Sequence, residues 1–186
     1  SAVEIATDIF RPANPRRSPE SQATFTVCYG HVIDGEQIVD EVLLTVMRAP
    51  NTYTTQDIVE VNCHGGIVPL RYTLELVIRH GARLADPGEF TKRAYYFGRI
   101  DLAQAEAVAD VINAQTEHSS KAAIAQLSGQ LSAAVNGLRD AIMSLLGRVE
   151  AAVDFPDEQL KLADLSQIGQ AIADLHSQIQ DLLATA

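Results

Sequence analysis

Tryptophan is missing from the 186 residues, and cysteine and methionine occur only twice each. Cys28 and Cys63 are too few for a disulfide framework or a four-ligand zinc site, so free thiols in a reducing cytosol are expected. No stretch approaches the roughly 18 consecutive apolar residues of a membrane span. Ser1-Ala2-Val3-Glu4 shows neither the basic region nor the apolar run of a signal peptide, and a cytoplasmic location is the expectation. Positive charge is also scarce, with 14 Lys and Arg against 24 Asp and Glu. Residues 1–100 carry a net charge of −2 and residues 101–186 a net charge of −8. Such a chain has no general electrostatic grip on a phosphate backbone. Its one basic concentration is Arg83, Lys92, Arg93 and Arg99, which read plainly as solvated helix surface.

Most self-contained chemistry is absent too. There is no G-x-x-x-x-G-K-[ST] phosphate loop and no G-x-G-x-x-G dinucleotide turn. A G-x-S-x-G nucleophile elbow and an H-E-x-x-H zinc helix are likewise missing. His31, His64, His80, His118 and His176 are too scattered to suggest a metal cluster. Cys63 and His64 are adjacent, but neighbouring strand residues point to opposite faces, which argues against a Cys–His catalytic pair.

The chain is nevertheless built to fold, with 47% hydrophobic and 20% charged residues. Its pattern changes near residue 100, giving expected domains at 1–100 and 101–186. In the first, Thr24 to Val32 alternates, with Phe25, Val27 and Tyr29 on one face. Asp34-Gly35 then signals a hairpin returning through Gln37 to Met47. A third strand, Asp57 to Cys63, places Val59 and Val61 on one side and Ile58, Glu60 and Asn62 on the other. A helix from about Val68 to His80 has an apolar stripe of Leu70, Leu74, Val77 and Ile78 and ends at Gly81. Arg11 to Pro19, with three prolines, reads as a loop, and strands are expected only within residues 20–65.

The second half reads as wholly helical. Asp101 with Gln104 forms a capping-box variant, and Leu102, Ala105, Val108, Ala109 and Ile112 make an apolar face. One longer helix is expected to run through Leu127, Leu131, Leu138, Ile142, Leu145, Val149 and Val153, stopped by Phe155-Pro156. A last helix carries Ile168, Ile172, Leu175, Ile179 and Leu182. The fold class is therefore α+β, an α+β domain followed by an all-α antiparallel bundle segment.

Three stretches are more specific than any generic motif. The first runs from Pro50-Asn51-Thr52-Tyr53-Thr54 through Asp57-Ile58-Val59-Glu60-Val61 to Cys63-His64-Gly65-Gly66. The second is Ala85-Asp86-Pro87-Gly88-Glu89-Phe90-Thr91-Lys92-Arg93-Ala94, continuing to Asp101-Leu102-Ala103-Gln104-Ala105-Glu106-Ala107. The third is Glu150-Ala151-Ala152-Val153-Asp154-Phe155-Pro156-Asp157-Glu158. In this order they strongly resemble the MnmE (TrmE) family of tRNA modification GTPases, over essentially the whole chain.

The resemblance implies an N-terminal domain that binds folate and dimerises, then a helical domain interrupted by an inserted G domain. It implies work with the flavoprotein MnmG on the wobble uridine of certain tRNAs. The added carbon comes from a tetrahydrofolate derivative, 5-formyl- or 5,10-methylene-tetrahydrofolate. Against that layout the chain reads as a piece that starts after the family's first strands and ends where the G domain begins. GTP, magnesium and potassium belong to that G domain, so no GTPase activity is expected of this chain alone. The family's folate contacts that carry over are Glu60 and Arg99; no catalytic or metal residue is assigned.

Two positions depart from the family pattern. The usual Thr-Gly-Glu-Asp is Thr54-Thr55-Gln56-Asp57 here, and the usual Asn-Gly-Lys is Phe97-Gly98-Arg99. Plain alternatives stand beside each site residue: Glu60 as a solvent-facing edge-strand carboxylate, Arg99 as a surface charge. His64-Gly65-Gly66 fits either an anion cradle or a simple glycine turn. Two other functions compete with a folate-binding piece of a tRNA-modifying GTPase. One is a stand-alone folate-dependent aminomethyltransferase, for which no general acid or base stands out. The other is a purely structural helical scaffold.

Overall fold

In the computed structural model, residues 1–154 and 162–184 are described. They form two units, Ser1–Ala105 and Glu106–Ala186.

The first unit is built on a four-stranded antiparallel sheet in the order β1 (Phe10–Pro12), β2 (Thr26–Asp34), β3 (Gln37–Met47) and β4 (Ile58–Asn62). The expected hairpin closes with Asp34 opposite Gln37, and Gly35 has φ 59° in the turn. Strand alternation divides the sheet into two unlike faces. Cys28, Val32, Val42, Leu44 and Val46 are buried and pack with Val59 and Val61 on the inner face. Helix α1 (Ala2–Ile9) covers that face with Val3, Ala6 and Ile9, and α2 (Ile67–Arg79) covers it with Leu76 and Val77. Gly30 is a packing requirement. A Cβ there would lie 2.4 Å from the Arg11 carbonyl oxygen and 2.5 Å from the Phe10 ring.

Two expectations need correction here. Strands are not confined to residues 20–65: β1 takes Arg11 and Pro12 out of the expected loop and pairs Phe10 with Val32. The edge position explains how a three-residue strand tolerates a proline. Of the expected α2 stripe Leu70, Leu74, Val77 and Ile78, Val77 alone packs against the core. Thr73 and Leu76 are buried, while Leu70, Leu74 and Ile78 face solvent. The expected alternation across Thr24 to Val32 leaves Phe25, just before β2, and Val27 and Tyr29 within it exposed, while the smaller Cys28, Gly30 and Val32 point into the core.

A short helix α3 (Glu89–Tyr96) follows, with Ala94 buried. Helix α4 (Leu102–Asn113) begins at the anticipated box. The Gln104 amide N–H donates to Asp101 Oδ1 at 2.9 Å, and the Asp101 amide donates to Gln104 Oε1 at 3.0 Å. The single long helix expected beyond it is two helices, α5 (Glu117–Leu127) and α6 (Gln130–Asp154), separated by Ser128-Gly129. The Ser128 amide donates to the Ile124 carbonyl and the Gly129 amide to the Gln126 carbonyl, ending α5. Helix α6 packs against both α5 and α7 (Leu162–Ala184). The expected stop at Phe155-Pro156 lies outside the described residues.

Candidate functional site

Glu60 occupies the middle of β4, where it pairs in register with Thr45, itself opposite Val27 on β2. Alternation turns its side chain to the outer face with Asn62, while Val59 and Val61 enter the core. Glu60 is exposed, and no hydrogen bond or ion pair within the described residues engages its carboxylate. A rigid strand thus presents two unspent acceptor oxygens.

Arg99 stands where α3 ends and α4 begins, and its backbone is held from both sides. Gly98 adopts φ 73°, the left-handed conformation that closes many helices. The Gly98 amide donates to the Tyr95 carbonyl at 3.0 Å and the Arg99 amide to the Ala94 carbonyl at 2.9 Å. Ile100 is buried, and the Asp101 box starts the next helix. The guanidinium carbon lies 4.8 Å from the centroid of the Tyr53 ring, within cation–π range. No ion pair joins Glu60 to Arg99. They are related through the 48–57 loop, which carries Tyr53 and leads directly into β4.

That loop is firmly anchored. The Thr52 hydroxyl donates to the Gln56 carbonyl at 2.7 Å, and Thr52 and Thr54 are both buried. The Ala49 amide donates to Asp57 Oδ1 at 2.9 Å, beside an Arg48–Asp57 ion pair of 3.6 Å. Thr55, at the position where the family pattern has glycine, takes φ 59°.

The basic concentration is not plain solvated surface. Buried Glu89 accepts from Arg83 at 2.6 and 2.8 Å, from Arg93 at 2.7 and 3.1 Å, and from the Asp86 amide at 2.9 Å. These donors, Arg83 first, hold the Glu89 carboxyl far below the ordinary carboxylate range. Arg93 also donates to Gln56 at 3.1 Å, which ties α3 to the 48–57 loop. Of the four cations, Lys92 and Arg99 are thereby left as the charges without a carboxylate partner among the described residues.

His64 is placed by a residue that the sequence did not flag. Buried Asp40 accepts from the His64 backbone amide at 2.9 Å, and its Oδ1 lies 2.7 Å from His64 Nδ1. Donation from the His64 ring to the Asp40 carboxylate, helped by its negative charge, raises the His64 pKa above its ordinary value. Burial works to raise the Asp40 pKa, but donation from His64 and from the Glu41 amide prevails and leaves it lowered. Neither Gly65 nor Gly66 has positive φ; Gly66 is extended at the start of α2. A cavity of about 370 Å³, lined by Ile5, Ile9, Val59, Val61 and Phe90 among others, lies under the inner side of β4, away from Glu60. Tyr53 and Asp40 are the contributors that sequence reasoning missed. Tyr53 at least lies inside the first motif stretch, whereas Asp40 sits in an ordinary strand run.

Comparison with known proteins bears on both units. A family model described as GTP-binding protein TrmE N-terminus matches residues 1–99, and one described as MnmE helical domain matches residues 102–186. The tRNA modification GTPases MnmE of Desulforamulus reducens and Alkaliphilus oremlandii are each 44% identical over 187 residues, covering 100% of this chain. That of Enterococcus faecalis is 44% identical over 191 residues. The chain spans 40% of the length of these relatives. No helix among the described residues is long and apolar enough to cross a membrane. Matched in both halves by the family's own domains, the chain belongs to the MnmE family of tRNA modification GTPases, as the N-terminal domain and the helical domain.

Proposed function

We propose that this chain binds a reduced folate, 5-formyl- or 5,10-methylene-tetrahydrofolate, as the one-carbon donor for tRNA modification. In this reading it serves, as a homodimer through its first unit and with the flavoprotein MnmG, the modification of the wobble uridine of tRNA in the cytoplasm. The supporting observation is the unspent Glu60 carboxylate on the outer face of β4. A reduced pterin presents a ring N–H and an exocyclic amine side by side, two parallel donors that one carboxylate accepts together. A strand fixes that carboxylate better than a loop would. Arg99 complements carbonyl or anionic oxygen on the ligand. When bound, the folate supplies the carbon; the chain's own residues hold and orient it.

Calorimetric titration with 5-formyl-tetrahydrofolate tests the reading. Glu60→Gln replaces two acceptors by one acceptor and a misplaced donor group, at a cost of roughly 1.5–3 kcal/mol. The expected loss is about ten- to a hundredfold in affinity, with the thermal melt unchanged because the side chain is exposed. Equal binding by Glu60→Gln and the parent chain removes Glu60 from the site. No heat from the parent chain favours the scaffold alternative. Carbon transfer by this chain alone from methylene-tetrahydrofolate to an amine favours the aminomethyltransferase alternative.

A further inference from the structure

The geometry points to Tyr53 as the residue that positions Arg99 for the folate, a role that rests on the folate reading above. Tyr53 lies between two buried neighbours, Thr52 and Thr54, so its backbone is fixed while its ring stays outside. Its hydroxyl lies 3.1 Å from Thr91 Oγ1 on α3, which holds the far end of the ring against the helix. One face of the ring then carries the Arg99 guanidinium carbon at 4.8 Å. The ring is thus anchored at both ends before the cation meets it.

This matters because the backbone alone does not aim Arg99. The Gly98 closure of α3 and the Asp101 box of α4 fix its Cα. Three stem methylenes still leave the guanidinium many rotamers, and no carboxylate pairs with it to choose among them. An aromatic face restrains a cation without consuming its N–H donors, which point outward in the guanidinium plane and stay free for a ligand. A carboxylate in the place of Tyr53 would hold the group as well, but would occupy those donors and cancel its charge. Tyr53 therefore preorganises Arg99 while leaving it competent to bind. Tyr53 is a positioning residue, and Arg99 is the one that touches the ligand.

The test uses the 186-residue chain with two readouts. One is calorimetric titration with 5-formyl-tetrahydrofolate; the other is the ring-current shift of the Arg99 side-chain protons by NMR, without folate. In the parent chain those protons are expected upfield of their ordinary position. Tyr53→Phe keeps the ring face but removes the Thr91 contact, so the shift should persist in reduced size and the affinity should stay within about twofold. Tyr53→Leu should abolish the shift and weaken binding about three- to tenfold. In an Arg99→Gln background, Tyr53→Leu should cost nothing further, which a merely structural role of Tyr53 would not produce. Absence of the shift in the parent chain overturns the proposal even if Tyr53→Leu fails to fold. Unchanged affinity in Tyr53→Leu, or the same loss in the Arg99→Gln background, also overturns it. A parent chain that shows the shift but binds no folate overturns the folate reading and with it the task assigned to Tyr53.

Discussion

Thr55 occupies the left-handed backbone region, at φ 59°, which a β-branched residue adopts only at a cost. That cost is about 1–2 kcal/mol for an L-residue. Glycine removes it but loses about 0.5–1 kcal/mol more backbone entropy on folding. Thr55→Gly should therefore stabilise the first unit by up to about 1 kcal/mol, read as a higher denaturation midpoint. An unchanged or lower midpoint would show that the loop carries no strain at Thr55. The Asp40–His64 pair makes a second prediction at this scale. The His64 pKa is raised in the folded chain, so its stabilising effect is complete below the unfolded value and fades as pH rises through the folded one. The Asp40 pKa is lowered, so its own effect persists through that range and is lost only in acid. The melting-temperature difference between the parent chain and His64→Gln should accordingly shrink from pH 5.5 to pH 8.5. A difference that is flat across this range would mean that the ion pair contributes nothing.

Helix α2 shows why a stripe read from sequence can name the wrong residues. Its apolar positions wrap most of the way round, so Leu70, Leu74 and Ile78 satisfy helical spacing as well as the buried Thr73 and Leu76 and the half-buried Val77 do. The face that wins is the one turned to the sheet. Leu76 is fully buried whereas Leu74 is 47% exposed. Leu76→Ala should therefore cost about 2–5 kcal/mol, and Leu74→Ala only a fraction of that. Equal costs in chemical denaturation would place Leu74 in the core after all. The same ambiguity explains β2. Strong alternation is legible, but whether Phe25, Val27 and Tyr29 or Cys28 and Val32 face inward depends on the helices and on room for the Phe10 ring at Gly30. The hairpin, β4, α2 and α4 are legible because each has a local signal: Asp34-Gly35, valine alternation, the closing Gly81, and the Asp101–Gln104 box. The elements α1 and β1 are not, since eight and three residues are too short for a period to emerge. The break at Ser128-Gly129 hides because Leu127 and Leu131 keep helical spacing across it. Of the candidate site, Glu60 and its outward face follow from strand parity. The Tyr53 ring under Arg99 requires a contact 46 positions apart in sequence, which no local pattern encodes.

Across the first unit as a whole, the two faces of the sheet are unequally used. The inner face is covered by α1 and α2, while the outer face displays Phe25, Val27, Tyr29 and Leu43, each between 47% and 59% exposed. Tyr29 and Leu43 are register partners, and Leu43 pairs in turn with Asn62 beside Glu60, so these side chains form a continuous band. Contiguous apolar surface of this kind on a sheet marks a contact face more often than a solvated one. A two-fold contact would meet the same band on a second copy, since isologous interfaces are self-complementary. A stable pair needs about 800 Å² buried on each partner, within reach of an open face shared by three strands. Light scattering of the parent chain at high micromolar concentration should therefore report a dimer, and one that reports only monomer would overturn this expectation. Leu43→Lys places a charge in the middle of the band and should shift the chain to monomer. Its thermal melt at low concentration should stay close to that of the parent, because the side chain is already half exposed and supports no core contact. If Leu43→Lys remains dimeric, the pairing surface lies elsewhere, and the free edge of β4 is the next place to look.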